Sequence, residues 1–171
     1  MNKPRTLVIT GIVLAAAASR LIPHPPNFAP ITALALFSGA QFTHKHLAFV
    51  IPLSALLLSD MVLGFYSQMW VVYGAFCLIA CVGLLLRRRT SGYAVAGATV
   101  ASSLLFFILT NLGVWVFGSL YAKTPEGLVT CFVAALPFLQ NTILGDGIYA
   151  ALLFGAFRMA ETKWPVIREA S

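Results

Sequence analysis

Residues 69–89 read MWVVYGAFCLIACVGLLLRRR. The part 69–86 carries no charged side chain and approaches the roughly 20 mostly apolar residues that a membrane-spanning helix needs. Arginine clusters beside such a helix favour the cytoplasmic face, which is the positive-inside rule. The segment therefore predicts a transmembrane helix whose carboxyl-terminal end, at Arg87, Arg88 and Arg89, faces the cytoplasm.

Apolar runs on both sides of this segment predict five more membrane spans. They lie at 6–20, 29–43, 46–66, 92–120 and 128–157. The chain is 60% hydrophobic and only 9% charged, whereas soluble domains carry about 25% charged residues. Beside six spans, its 171 residues leave no length for a separate soluble domain. We therefore predict one integral membrane domain over residues 1–171, an all-α bundle of six transmembrane helices.

The run 29–43 has a short apolar core that is compatible with a re-entrant segment, so the basic residues are used to test whether it crosses. With six spans and both termini inside, nine of the eleven lysines and arginines are cytoplasmic. These are Lys3, Arg5, Lys45, Arg87, Arg88, Arg89, Arg158, Lys163 and Arg168. If the run did not cross, the arginine triplet would move outside. Six spans with cytoplasmic termini, in a bacterial inner membrane, therefore fit better than five.

The net charge, the amino-terminal run and the cysteines each have a simple interpretation. The net charge of +6 comes from short basic clusters between apolar runs, which predicts membrane orientation and no nucleic-acid partner. The amino-terminal run resembles a signal peptide, but its removal would leave an odd number of spans, so we interpret it as a retained helix. Cys77, Cys81 and Cys131 lie within apolar runs and predict neither disulfides nor a metal site.

Small residues recur every four positions on the first span, at Gly11, Ala15 and Ser19. Such a stripe lets a second helix approach closely where lipid provides no hydrophobic drive for association. The stripe predicts a partner helix, either within the bundle or in another protein.

Polar side chains within or beside the spans concentrate near the predicted outer face. An ionisable group in a membrane costs several kcal/mol unless it is paired or hydrated, and a carboxyl group there is usually functional or paired. Arg20 is the candidate partner for one of the two intramembrane aspartates. We predict a small-molecule pocket between helices, beneath the proline-rich loop 19–30. Its candidate residues are His24, Asn27, Asp60, Asn111, Trp115, Asn141 and Asp146.

Three alternatives remain beside a non-enzymatic binding protein. The amides can serve only as contacts between helices. Asp60 and Asp146 can form the dyad of an intramembrane aspartyl protease, since Leu144-Gly-Asp146-Gly resembles the Gly-x-Gly-Asp motif, although Ile143 replaces its first glycine. A structural or assembly subunit would have no enclosed pocket.

Four segments carry a family resemblance. They are SRLIPHPPNFAPITALALFSGA at 19–40, LLLSDMVLGFY at 56–66, SSLLFFILTNLGVWVFG at 102–118 and ALPFLQNTILGDGIYAALLFG at 135–155. These resemble a family of small bacterial membrane proteins related to the S-components of energy-coupling factor (ECF) vitamin transporters. The resemblance implies a six-helix bundle that captures a vitamin-like small molecule near its outer face. It also implies that Gly11, Ala15 and Ser19 contact an energising ECF membrane subunit.

One branch of those S-components, the solitary vitamin B12 proteins of the BtuM type, places a cobalt-ligating cysteine in a helix. Cys77 and Cys81 are the candidates of comparable location here. The predicted topology places Cys77 near the midplane and Cys81 in the cytoplasmic half, below the outer polar residues. Buried packing is therefore the preferred interpretation of both, and the sequence predicts no particular cofactor.

Overall fold

The computed structural model describes residues 3–87 and 90–168, so Arg88 and Arg89 of the predicted arginine cluster lie outside the described residues. The described chain forms six α-helices, followed by a 3₁₀ turn at Pro165–Ile167. The helices are α1 (Lys3–Ser19), α2 (Ile31–Gln41), α3 (Lys45–Leu63), α4 (Met69–Leu86), α5 (Gly92–Phe117) and α6 (Pro125–Lys163). The all-α prediction is therefore confirmed.

Four of these helices, α3 to α6, are long and apolar enough to cross a membrane. The helix α2 is apolar but has only 11 residues, which is about 16 Å at 1.5 Å per residue. The protein is thus a helical membrane protein by composition and helix length.

The short helix α2 lies at the centre of the bundle. Each residue from Thr32 to Gln41 is buried, and Phe37 makes edge-to-face ring contacts with Phe154 and Phe157 of α6. Its sequence ITALALFSGAQ has small or apolar residues on all sides, which is typical of a helix enclosed by protein. The neighbouring helices therefore shield α2 from lipid.

Two glycines bring the backbones of α2 and α4 into direct contact. A Cβ atom at position 39 would lie 2.1 Å from the Ala80 carbonyl oxygen, and one at position 83 would lie 2.3 Å from the Leu36 carbonyl oxygen. Only glycine fits at Gly39 and Gly83 without moving a backbone. This crossing fixes α2 in the core.

Arginines from other helices hold the carboxyl-terminal end of α2, which has no basic residue in its own last turn. Arg87 donates from Nε to the Gly39 carbonyl oxygen at 3.0 Å and from Nη2 to that of Phe42. Arg5 donates to the Gln41 carbonyl oxygen at 3.4 Å and pairs with Glu161 at 2.7 Å. These cations complement the negative end of the α2 dipole. We call this side of the bundle the basic end.

A recess at the opposite side follows from the difference in helix lengths. Arg5, at the start of α1, contacts the last residue of α2. The helical rise from Arg5 to Arg20 is about 22 Å, whereas that of α2 is only about 16 Å. The first turn of α2 therefore stops below the level of Arg20 and leaves space above it. We call this side the recess end.

Candidate ligand-binding site

The recess is a cavity of about 390 Å³ above the first turn of α2. Volumes of this order are typical of small-molecule sites. Polar side chains outnumber apolar ones in its wall, and the lining residues come from four helices and two loops. The lining consists of Arg20, His24, Asn27, Ala29, Ile31, Thr32, Tyr66, Val72, Phe106, Thr110, Asn111, Val114, Thr142 and Asp146.

Asp146 contributes a carboxyl group that is almost fully buried beside the recess, with 1% of the residue exposed. The Ser103 hydroxyl donates to its Oδ2 at 2.7 Å. The Thr32 hydroxyl and the Ala33 backbone N–H, in the first turn of α2, also bond to this carboxyl. An acidic group is favourable at a helix amino terminus, and α2 has none of its own there. Asp146 therefore joins α2, α5 and α6 at one point.

A buried ion pair forms the side of the recess at the ends of α1 and α3. Arg20 Nη2 lies 2.7 Å from Asp60 Oδ1, and the two side chains are 8% and 1% exposed. Arg20 also donates to the Ser59 hydroxyl, and the Tyr73 hydroxyl donates to Asp60 Oδ2 at 2.9 Å. Both carboxylate oxygens of Asp60 are thus occupied by protein donors.

Asn111 and Tyr66 present hydrogen-bonding groups to the cavity. The Asn111 amide nitrogen donates to the Phe107 carbonyl oxygen at 2.8 Å. Its Oδ1 has no hydrogen-bond donor among residues 3–87 and 90–168, so it can accept from a ligand. Tyr66 lies in the loop between α3 and α4, where partial burial and the charge of Asp60 raise its pKa to about 12. Its phenol therefore stays protonated and remains a donor.

The loop 20–30 covers the recess and is attached to α6 at three places. The Asn141 amide donates to the Pro26 carbonyl oxygen at 3.0 Å. Phe28 packs on Gly145, where an added Cβ would lie 3.2 Å from the Phe28 Cα, and its ring lies 6.1 Å from that of Tyr149. Gly145, the glycine before Asp146, thus provides the surface on which the loop packs.

Four of the seven predicted site residues line the recess, namely His24, Asn27, Asn111 and Asp146. The other three, Asp60, Trp115 and Asn141, are not among its lining residues, and their role as ligand contacts stays a prediction. Asp60 is enclosed by Arg20 and Tyr73, and Asn141 holds the loop. Trp115 contacts the loop before α6, where its indole nitrogen donates to the Ala122 carbonyl oxygen at 2.9 Å.

Sequence reasoning missed four hydroxyl residues. Thr32, Thr110 and Thr142 line the recess, and Ser103 holds Asp146. Thr142 precedes Asp146 by four residues and hence shares its helical face, which is a usable signal. The other three have no comparable signal, because the fold brings together helices that are distant in sequence.

The three small residues of the α1 stripe differ in their exposure and contacts. Gly11 and Ala15 are exposed, and an added Cβ at position 11 would have no atom within 4 Å. Ser19 instead donates to the Tyr149 hydroxyl of α6 at 3.2 Å. Internal packing therefore accounts for Ser19 but not for Gly11.

The cysteines lie away from the recess lining. Cys77 is half-buried and Cys81 is exposed, and neither belongs to the cavity wall. Within the described ranges, no group of three or more His, Cys, Asp or Glu residues is arranged to hold a metal ion.

Comparison with known families covers nearly the whole chain. A family of unknown function, DUF6580, matches residues 1–167, and the chain belongs to that family. No curated protein and no solved structure matches it. Family membership thus names neither a ligand nor a reaction.

Proposed function

We propose that this DUF6580 protein is a membrane-embedded small-molecule-binding protein, similar in role to the S-components of vitamin transporters. The recess above α2 carries this proposal. It combines a ligand-sized volume of about 390 Å³ with hydrogen-bonding groups beside apolar walls, beneath a loop held at three places on α6.

The ligand chemistry follows from the wall of the recess. The apolar surface is provided by Ile31, Val72, Phe106 and Val114. Asn111 Oδ1 is an acceptor with no donor among the described residues, and Tyr66 is a donor. A compact molecule with an apolar body and several hydrogen-bonding groups, such as a vitamin, matches this mixture.

The proposed orientation is six spans with the recess at the outer face and both termini in the cytoplasm of a bacterial cell. The way in which helix ends alternate between the recess end and the basic end supports this orientation. Arg20 at the end of α1 pairs with Asp60 near the end of α3, whereas Arg5 at the start of α1 bonds to Gln41 at the end of α2. The chain thus enters α2 at the recess end and leaves it at the basic end, as a crossing segment does.

Energy for active uptake would come from a separate ECF-type membrane subunit, because the sequence has no phosphate-binding glycine loop. Gly11 and Ala15 offer an exposed surface of small residues on α1 for such a helix.

The aspartyl-enzyme alternative is less well supported. A catalytic dyad needs two carboxyls that share a proton. Here Asp60 is bound by Arg20 and Tyr73, whereas Asp146 is bound by Ser103 and by α2. Each carboxyl therefore has its own separate donors.

Native mass spectrometry of the purified protein tests the proposal by detecting a retained small molecule. We expect Asn111→Ala to lower the bound fraction, with about tenfold weaker binding for one lost hydrogen bond to a ligand. Gln140→Ala is the matched control, since Gln140 is an exposed amide on α6 that does not line the recess.

Two results would overturn this function. One is that no small molecule is retained by protein purified from its own host. The other is that a retained molecule is lost equally in the Asn111 and Gln140 variants, because the recess would then not be its site.

A further inference from the structure

A second cavity system lies at the basic end, on the far side of α2 from the recess. One cavity of about 400 Å³ is lined by Gln41, Thr90, Ser91, Phe154, Phe157, Arg158 and Glu161. An adjoining cavity of about 560 Å³ shares Gln41, Thr90 and Glu161 and adds Arg5, Arg87 and Arg168 to the wall. We call the two together the basic cleft.

The basic cleft carries an excess of positive charge. Among its described lining residues, four arginines face one carboxylate, that of Glu161. Arg5 neutralises this carboxylate at 2.7 Å. The guanidinium groups of Arg87 and Arg158 add further positive charge to the wall, which favours an anion in the cleft.

Two donors in the cleft lack acceptors in the part of the chain that the structure describes. The first is the guanidinium of Arg158, which is exposed at the wall. The second is the amide nitrogen of Gln41, a residue that is 8% exposed. Arginine can only donate, and Arg5 Nη2 donates to Gln41 Oε1 at 3.2 Å. The NH₂ group of Gln41 is therefore left for a ligand. This NH₂ group can donate to an acceptor in the cleft, which Gln41 lines.

The start of α5 adds further donors to the same wall. Ser91 caps this helix by accepting from the Ala94 backbone N–H at 3.3 Å. The hydroxyls of Thr90 and Ser91 both line the cleft, close to the positive end of a 26-residue helix. Hydroxyl, amide and guanidinium donors thus meet around one cavity.

We propose that the basic cleft binds a phosphate group, with Arg158 and Gln41 as its direct donors. Guanidinium and amide groups match the oxygens of a phosphate, and the surrounding arginines offset its charge. The phosphate belongs either to the headgroup of an anionic phospholipid or to a soluble phosphorylated molecule. This site is independent of the recess, which lies about 22 Å away along α1.

Binding measurements on the full chain in detergent test this site with two probes. The probes are inorganic phosphate and mixed micelles that contain phosphatidylglycerol, with phosphatidylcholine micelles as the uncharged reference. We expect Arg158→Gln and Gln41→Glu each to weaken binding about tenfold or more. Gln41→Glu keeps an oxygen for Arg5 but replaces the free donor with a negative charge.

Lys45→Gln is the matched control, because Lys45 is an exposed cation near the same end that does not line the cleft. We expect it to change binding less than twofold. Phosphatidylglycerol binding alone identifies a lipid source, and phosphate binding identifies a soluble one. The proposal is overturned if the unmodified protein binds neither probe, or if Lys45→Gln weakens binding as much as Arg158→Gln does.

Discussion

Asp60 and Asp146, the two buried aspartates, have separate sets of hydrogen-bond donors. Asp60 accepts from Arg20 at one oxygen and from Tyr73 at the other, while Asp146 accepts from Ser103 and from the first turn of α2. A buried polar group without a hydrogen-bond partner is costly, so each carboxyl needs its own donors. The two aspartates therefore hold different parts of the recess in place.

Replacing Arg20 tests the ion pair. Arg20→Met leaves Asp60 buried without its cation, and we expect it to lower the free energy of unfolding by about 3–5 kcal/mol. The double variant Arg20→Met, Asp60→Leu removes both charges and should recover most of that loss. Unfolding of the four proteins of this cycle in detergent gives the coupling energy. Purely additive losses would contradict a coupled pair.

At the scale of the element, α2 differs most from a simple membrane span. Its 11 residues are too few to cross the roughly 30 Å hydrocarbon core alone. It is stable at this length because other helices surround it, Asp146 lies at its first turn, and Arg5 and Arg87 hold its last carbonyls. The recess is a direct consequence of the short helix.

Glycine substitutions test how tightly α2 is held. Gly39→Ala places a Cβ atom 2.1 Å from the Ala80 carbonyl oxygen, and overpacking of this kind costs about 1–3 kcal/mol. Gly74→Ala on α4 is the control, because its Cβ would meet nothing within 4 Å, and it should be neutral or stabilising by about 0.5–1 kcal/mol. Thermal unfolding in detergent measures both. Equal stability of the two variants would mean that the α2–α4 crossing is looser than described.

At the scale of the whole molecule, the two ends of the bundle have different chemistry. The recess end combines one buried ion pair with neutral hydrogen-bonding groups, and the basic end gathers four arginines around a cleft. For the proposed location in a bacterial inner membrane, the positive-inside rule predicts that the arginine-rich end lies in the cytoplasm. The recess, beneath the loop 20–30, would then face the outside of the cell.

Cysteine labelling tests this orientation. In a variant with alanine at Cys77, Cys81 and Cys131, we expect Lys123→Cys to react with a membrane-impermeant maleimide in intact cells. Lys45→Cys and Thr90→Cys should react only after the cells are permeabilised. Labelling of both Lys45→Cys and Thr90→Cys from outside would instead overturn this orientation.

The sequence by itself determined the helical membrane class and the approximate position of each helix. Apolar runs and their charged or turn-forming borders are local features, and for α4 the predicted 69–86 coincides with Met69–Leu86. It also identified four residues of the recess, because polar groups are rare and costly in an apolar chain. The six-span orientation, the ligand and the energising partner stay predictions.

Only the tertiary structure decided which polar groups meet. It paired Arg20 with Asp60 rather than with Asp146, bonded Trp115 to Ala122, and brought Thr32 and Thr110 into the wall of the recess. These contacts join helices that are far apart in sequence, and helical periodicity gives the face of a residue but not its neighbour. The short length of α2 was readable from the sequence, yet the recess above it exists only because longer helices surround it.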